Sequence, residues 1–486
     1  MSNQVAPTLT LASLKKAMPG YIRKSVYGPA TPTGLPAKRV ADLPGIVALP
    51  VQELFPDVPK AIYIEGDDLA PIRKATEAAL KNVNMDKIKP DSSVNILTSQ
   101  YGFMIMGGFA YKEMVKTIKE VVEQRTGCTN IRLRVATGMR IQEPAEIIEH
   151  YELDKLFDGK ASPALFLDKG VPIETELGTM YGIAKIYDAD FIIHAHHGEL
   201  RELDMHRMMS RTMKPFAMSY SRMETRSIHH VNFGPRSSNL VPRVIYESPF
   251  VQGKFTFGIF MAASPQGITG IEAGNDLFPI DRKLMLLAFK SYGKIRELYN
   301  EIKECVAVMD GTGEPRYMIG GGTTFGNLTE AELDLFDLDA VPVSLGFGIY
   351  QTPPTQPKLK AVNPAIRALV MNHFWVGVPQ MELATSCPMV LVGKEMTRLV
   401  DEDCMNSVML DHVVTAETLE AAVRFAKKVA RTENIIAFDG AYGAITCSEP
   451  LAEYLIQRAP IANQRVEEVL MPKWLRQRGF DPSEAL

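Results

Sequence analysis

At 486 residues the chain exceeds the size at which a single hydrophobic core stops growing, so two domains are expected. Apolar residues make up 46% and charged residues 23%, which excludes wholesale disorder and fibrous repeats. A formal net charge of -4, with the two signs nearly balanced, offers no electrostatic footprint for nucleic acid or anionic lipid.

Residues 19 to 60 carry many Pro and Gly and read as an irregular arm, 1–60, packed on the first domain. Periodicity then predicts a helix over 70–83, a buried strand Ser93–Ser99, an amphipathic helix from Phe109 to Arg125 and a strand Asn130–Ala136. Strand, helix, strand is the parallel α/β unit, and it leaves the loop Thr137 to Arg140 at a strand's carboxyl end. A second unit runs from Val171–Ile173 through a helix-compatible segment to a strand Asp190–His194, with a further short strand at Val244–Glu247. Beyond lie an apolar, Gly-interrupted stretch at Phe255–Ala263 and a helical run from Arg282 to Val308. A Gly-rich turn (Gly320 to Thr324) and a Pro-rich loop (Gln351 to Pro357) follow. The pattern closes with a strand Pro388–Val392, a helix Ala416–Arg431 capped by Thr415, and a strand Ile435–Asp439. The expected architecture is a two-lobed α/β fold, with parallel or mixed sheets flanked by helices and the active site in the interdomain cleft. Its parts are an N-terminal α/β domain over 61–252, a C-terminal α/β domain over 253–450, and a tail, 451–486, packing back on the first domain.

Five scattered cysteines without a C-x-x-C pair argue against a disulfide framework, so a reducing, cytoplasmic setting is expected. The first residues lack the apolar stretch of a signal peptide, and the longest uncharged runs are broken by Gly and Pro, so no membrane span is expected. The excess of 25 methionines carries no assigned role; such residues more often fill irregular core gaps than ligate metal.

Six of the nine histidines fall between His194 and His230. In the strand FIIHAHH, alternation places His194 and His196 on one face, with His197 turning into the loop. These imidazoles could share one divalent metal such as zinc, with Glu199 activating a bound water, which would make the protein a metal-dependent hydrolase. The same stretch holds Arg201, Arg207, Arg211, Lys214, Arg222, Arg226 and Arg236. A cationic cleft of this kind suits a small-molecule carboxylate, with Arg201, Arg211 and Arg222 as its bidentate holders, against the blander reading of a solvated basic face. Gly320 to Thr324 could cradle a phosphate but is more simply a tight turn.

The blocks VNILTS, NIRLRVATGMR, GVPIETELGTMYGIAKIYDADFIIHAHHGE, ITGIEAGND and IIAFDGAYGAITCSEP together resemble the nickel-dependent lactate racemase family. That resemblance implies a two-lobed α/β clam that holds a nickel-pincer nucleotide and interconverts hydroxy-acid stereoisomers. Lys214 matches the family's covalent anchor, and His230, sixteen residues on, matches the nickel-ligating histidine. Gly138 and Arg140 fall where the family's loop meets the cofactor. Of the two acid/base histidines, one corresponds to His206, with His197 as the fallback. The other is replaced by Met139, and the family's charged loop reads Ser99-Gln100-Tyr101-Gly102-Phe103, which leaves Tyr101 as a substitute base. The resemblance therefore implies a divergent racemase or epimerase of a 2-hydroxy acid or sugar acid, with a homo-oligomer as a possible assembly. A catalytically degenerate binding protein is the non-enzymatic alternative.

Overall fold

The computed structural model describes residues 9–17, 38–99, 102–103, 108–138, 141–198, 212–232, 237, 239–310, 334, 336–339, 364–373, 387–394, 396–397, 413–439 and 443–484. In chain order the strands are β1 (Lys15–Lys16), β2 (Ile46–Pro50), β3 (Ser93–Ser99), β4 (Asn130–Ala136), β5 (Ala161–Ala164), β6 (Gly170–Thr175), β7 (Gly178–Ile183) and β8 (Phe191–Gly198). They continue as β9 (Phe255–Ser264), β10 (Gly267–Gly274), β11 (Cys305–Asp310), β12 (Ile366–His373), β13 (Met389–Val392), β14 (Val413–Ala416), β15 (Ile435–Phe438) and β16 (Ala444–Ser448). The helices that matter below are α1 (Ala70–Leu80), α2 (Phe109–Thr126), α3 (Met223–Val231), α4 (Leu240–Tyr246), α5 (Leu277–Asn300), α6 (Leu419–Ala430), α7 (Glu449–Arg465) and α8 (Met471–Gln477).

Two mixed sheets flanked by helices result, so the fold is α/β. The first has the order β10-β9-β8-β3-β4-β5, parallel except for the β9–β10 hairpin. Alternation along β3 and β8 sends Val94, Ile96, Ile193 and Ala195 to one face, where Met114, Val115 and Ile118 of α2 cover them. Leu97 and Ile192 go to the other face, against Phe216, Tyr220, Val241 and Ile245. Each such buried side chain contributes roughly 1.5–3 kcal/mol relative to exposure, which is why both faces must be covered. Helix α2 ends where Gly127 takes the left-handed conformation at φ 72°, a turn open to glycine at no steric cost.

The second sheet has the order β1-β2-β16-β15-β11-β12-β13-β14, with β15, β11, β12, β13 and β14 parallel. Helix α6 covers one face through Leu419, Ala422 and Ala426, while α7 covers the other through Leu451 and Leu455. Helix α5 joins the two units: Leu277 and Leu284 pack on the first sheet, and Ile295 and Leu298 on the second. At its middle the buried Lys294 ammonium is paired with Asp57 and with Glu467, the latter at 2.6 Å. No helix among the described residues is long and apolar enough to cross a membrane.

Several expectations are corrected. Strands β9 and β10 return to the first sheet, so a domain boundary at 252/253 falls too early, and the change of unit occurs along α5. The N-terminal arm packs on the second sheet, to whose edge β1 and β2 pair, not on the first domain. The tail begins on the second unit, and only from Val466 onward do Leu470, Trp474 and Leu475 enter the core of the first. Residues 244–246 belong to helix α4, not to a strand, because Val241, Ile245 and Tyr246 supply a helical apolar face to the second face of the first sheet. The helix-compatible stretch after Ile173 is the antiparallel hairpin β6–β7. The helical run ends at Asn300, with Cys305–Val308 already in β11. Thr415 lies in β14, and the cap of α6 is Thr418, whose side chain accepts from the Ala421 amide at 3.2 Å.

Candidate functional site

In the first sheet the chain lays β3, β4 and β5 outward in one direction and then returns to place β8 and β9 on the other side of β3. The loops leaving β3 and β8 therefore diverge, and their carboxyl ends frame the crevice at which open α/β sheets take ligands. Leu97 of β3 stands opposite His194 of β8, so two residues further along each strand the same face carries Ser99 and His196. Ser99 Oγ lies 3.0 Å from His196 Nε2, and His196 Nδ1 lies 3.0 Å from the His197 carbonyl. A carbonyl can only accept, so in the neutral ring Nδ1 carries the proton and Nε2 accepts from the serine hydroxyl. His197 does not turn into a loop: it continues β8, opposite Met261, with its ring stacked on His196 at 4.7 Å.

His194 is fully buried, with Nδ1 2.7 Å from the Tyr220 hydroxyl and Nε2 2.8 Å from the Thr212 carbonyl. Burial, reinforced by the neighbouring His196, holds its pKa down at about 3, so the ring is neutral. Nε2 donates to Thr212, which leaves Nδ1 to accept from Tyr220. His194 is thus a pin that fastens segment 212–220 to β8. The Thr212 amide and hydroxyl, each 3.3 Å from Asp281 of α5, fix the same segment from the other side.

Lys214 sits on that pinned segment and is buried, 8% exposed, next to the core residues Met213, Phe216 and Ala217. His230 occupies the last turn of α3, where its Nδ1 donates to the Arg226 carbonyl at 2.6 Å. That bond fixes the tautomer and puts the ring's lone pair on Nε2. The Arg226 guanidinium is buried and donates to Thr137 O at 2.7 Å, Gly138 O at 3.1 Å and Ser221 O at 3.1 Å. It also stacks on Phe166, 4.6 Å from the ring centroid. Arg226 therefore ties α3, which carries His230, to the loop at the carboxyl end of β4, which carries Gly138.

Two expectations fail on hydrogen-bond geometry. The His194, His196, His197 metal triad is not assembled, because both nitrogens of His194 and both of His196 already face hydrogen-bond partners within the protein. Among the described residues no group of three His, Cys, Asp or Glu side chains is arranged to hold a metal. Arg222 is no holder of a substrate carboxylate: it forks onto Glu224, with two contacts at 3.0 Å, and donates to the Asp168 carbonyl at 2.8 Å. Tyr101, Met139, Arg140, Glu199, Arg201, His206 and Arg211 lie outside the described residues, as do Gly320 to Thr324 and Gln351 to Pro357.

The site edge also meets the second unit, since the Gly443 amide, just before β16, donates to the Pro265 carbonyl in the β9–β10 turn at 2.9 Å. Sequence reasoning missed Ser99, Arg226, Tyr220 and Asp281 as site-building residues. The available signal was a polar residue ending a strand predicted as buried, at Ser99. No family model and no curated protein matches the chain.

Proposed function

We propose that this chain is a racemase or epimerase of a 2-hydroxy acid or sugar acid, working in the cytoplasm at the carboxyl edge of its first sheet, where the two units meet. The observation that carries the reading is the treatment of Lys214 and His230, the two residues that the family resemblance assigns to a nickel-pincer nucleotide. Lys214 is buried on a segment pinned by His194, which suits a fixed point of attachment for a covalent link. The Nδ1 proton of His230 is committed to a backbone carbonyl, the arrangement by which imidazoles ligating metal through Nε2 are oriented. A borderline-soft imidazole donor suits nickel, so these residues fit the group. When bound, it would supply a hydride acceptor for the substrate's α-carbon.

The protein's own share is to hold the substrate carboxylate, to exclude water and to manage the hydroxyl proton. Phe216 and Tyr220 are fully buried and pack edge-on against the His194 ring. Arg201 and Arg211 remain the candidates for the carboxylate, and His206, with His197 and Tyr101 behind it, for the acid/base work. Gly138 and Arg140 remain candidates for cofactor contact. His230→Ala, purified from a host that makes the cofactor, should lose bound nickel by more than tenfold while keeping the mass added at Lys214. Elemental analysis beside intact mass checks this, and wild-type nickel content in the variant would contradict the assignment.

A further inference from the structure

A groove of about 580 Å³ opens at the amino edge of the second sheet, between the carboxyl-terminal half of α6, the residues that lead into β2 and the start of β15. This edge is remote from the candidate site. Both β2 and β15 run antiparallel to β16, and it is their opposite end, near Gly443, that meets the β9–β10 turn. Buried Leu43, Val423 and Ile435 give the groove an apolar lining, and exposed Arg424, Lys428 and Arg431 give it a cationic rim. We propose that the groove binds a small organic phosphate, whose oxygens are held by those three cations and whose planar or apolar body lies on the lining. The inference is independent of the isomerase reading.

Three observations carry it. The first is uncompensated charge. Arg424, Lys428 and Arg431 recur at the spacing that puts them on one flank of α6, where like charges repel, and they span about 10 Å along the helix axis. Among the described residues none of the three has a carboxylate partner, whereas Lys427 on the same groove is paired with Glu433 at 2.6 Å, and Glu420 with Lys38. Attraction to the carboxyl end of the helix accounts for Lys428 but not for Arg424, which lies a turn further in. The second is the backbone of Arg431, whose φ of 55° is the left-handed cap at which glycine meets no Cβ clash. An arginine kept there against the strain points to a use for its guanidinium, which can hold phosphate bidentately. The third is size and lining. The volume falls within the range of small-molecule sites, roughly 300–1,000 Å³, and the apolar lining favours a phosphate that carries an organic body. A net charge of -4 over the whole chain supplies no wider field for a polyanion such as nucleic acid.

Naphthyl phosphate, a planar apolar body bearing one phosphate, is the probe, titrated calorimetrically into the full chain in phosphate-free buffer beside its two halves, inorganic phosphate and naphthol. One molecule per chain should bind, about tenfold or more tighter than either half. Arg424→Met and Arg431→Gly should each weaken binding by about tenfold or more, the loss of one charge-assisted contact. Arg431→Gly should do so while keeping or raising the thermal midpoint, because glycine relieves the left-handed cap; an arginine with a merely structural role would lower the midpoint when removed. No binding at millimolar probe, equal affinity for naphthol, or wild-type affinity in either variant overturns the proposal. Displacement of the probe by a polyglutamate peptide that binds more tightly also overturns it, and assigns the groove to an acidic protein segment. None of these outcomes bears on Lys214 or nickel, so the isomerase reading stands or falls separately.

Discussion

Acidification from pH 7 to pH 5 should cost the folded protein about 2 kcal/mol through His194 alone, because a histidine held near pKa 3 cannot follow the unfolded chain in taking up a proton. Above the unfolded value of 6.5 both states are neutral and the stability is fully present. Between about 6.5 and about 3 the unfolded state binds one proton more than the folded state, so stability falls as pH falls through that window. The full difference is on the order of 5 kcal/mol, large because the ring is wholly buried and both nitrogens are hydrogen-bonded in the neutral form. Denaturant midpoints at pH 7 and pH 5 measure it. His194→Gln should be less stable than wild type at pH 7, since it disturbs both the Tyr220 and the Thr212 contacts, but its loss between the two pH values should be smaller by about 2 kcal/mol. Equal pH dependence in the two proteins would show that His194 is protonated in the fold and that the tautomer argument is wrong.

Replacing Arg226 by Met should lower stability by roughly 3 kcal/mol and the thermal midpoint of the first-sheet unit by roughly 5–10 °C. Three carbonyls, those of Thr137, Gly138 and Ser221, lose charge-assisted donors at once, and the stacking on Phe166 is lost with them. Relief from burying the guanidinium offsets part of this, which is why the expected loss is smaller than the sum of three such bonds. Because the same side chain joins the β4 loop to the helix bearing His230, nickel retention should also fall, by about ten- to a hundredfold, in the surviving folded fraction. Arg226→Lys keeps the charge without the fork and should restore only part of either quantity. Calorimetry and metal analysis on the three proteins check both effects, and a wild-type midpoint in Arg226→Met would show that the clasp is not structural.

The regular parts of the first sheet were legible in the sequence. Ser93–Ser99 and Asn130–Ala136 were read as strands to the residue, because each is an apolar run of strand length bounded by turn residues. Helix α4 was not legible: its Val, Ile and Tyr favour strands locally, and only packing beneath the first sheet makes them helical. Non-local pairing hid the domain boundary, since nothing within residues 255–274 says which sheet they join. The candidate site divides in the same way. Clustering drew attention to the histidines between 194 and 230, yet their separate roles depend on register: Leu97 opposite His194 brings Ser99 to His196 and sends His194 into the core. Arg226 looked like one of seven similar basic residues until its three carbonyl partners were seen.

The central claim is that Lys214 anchors a nickel-pincer nucleotide. Intact mass of the chain purified from its native host, followed by peptide mapping, tests it most directly. The account predicts a mass above that of the sequence, localised to the peptide containing Lys214, with stoichiometric nickel and no such increment on protein from a host that lacks the cofactor. An unmodified Lys214 in native, nickel-replete protein would contradict it.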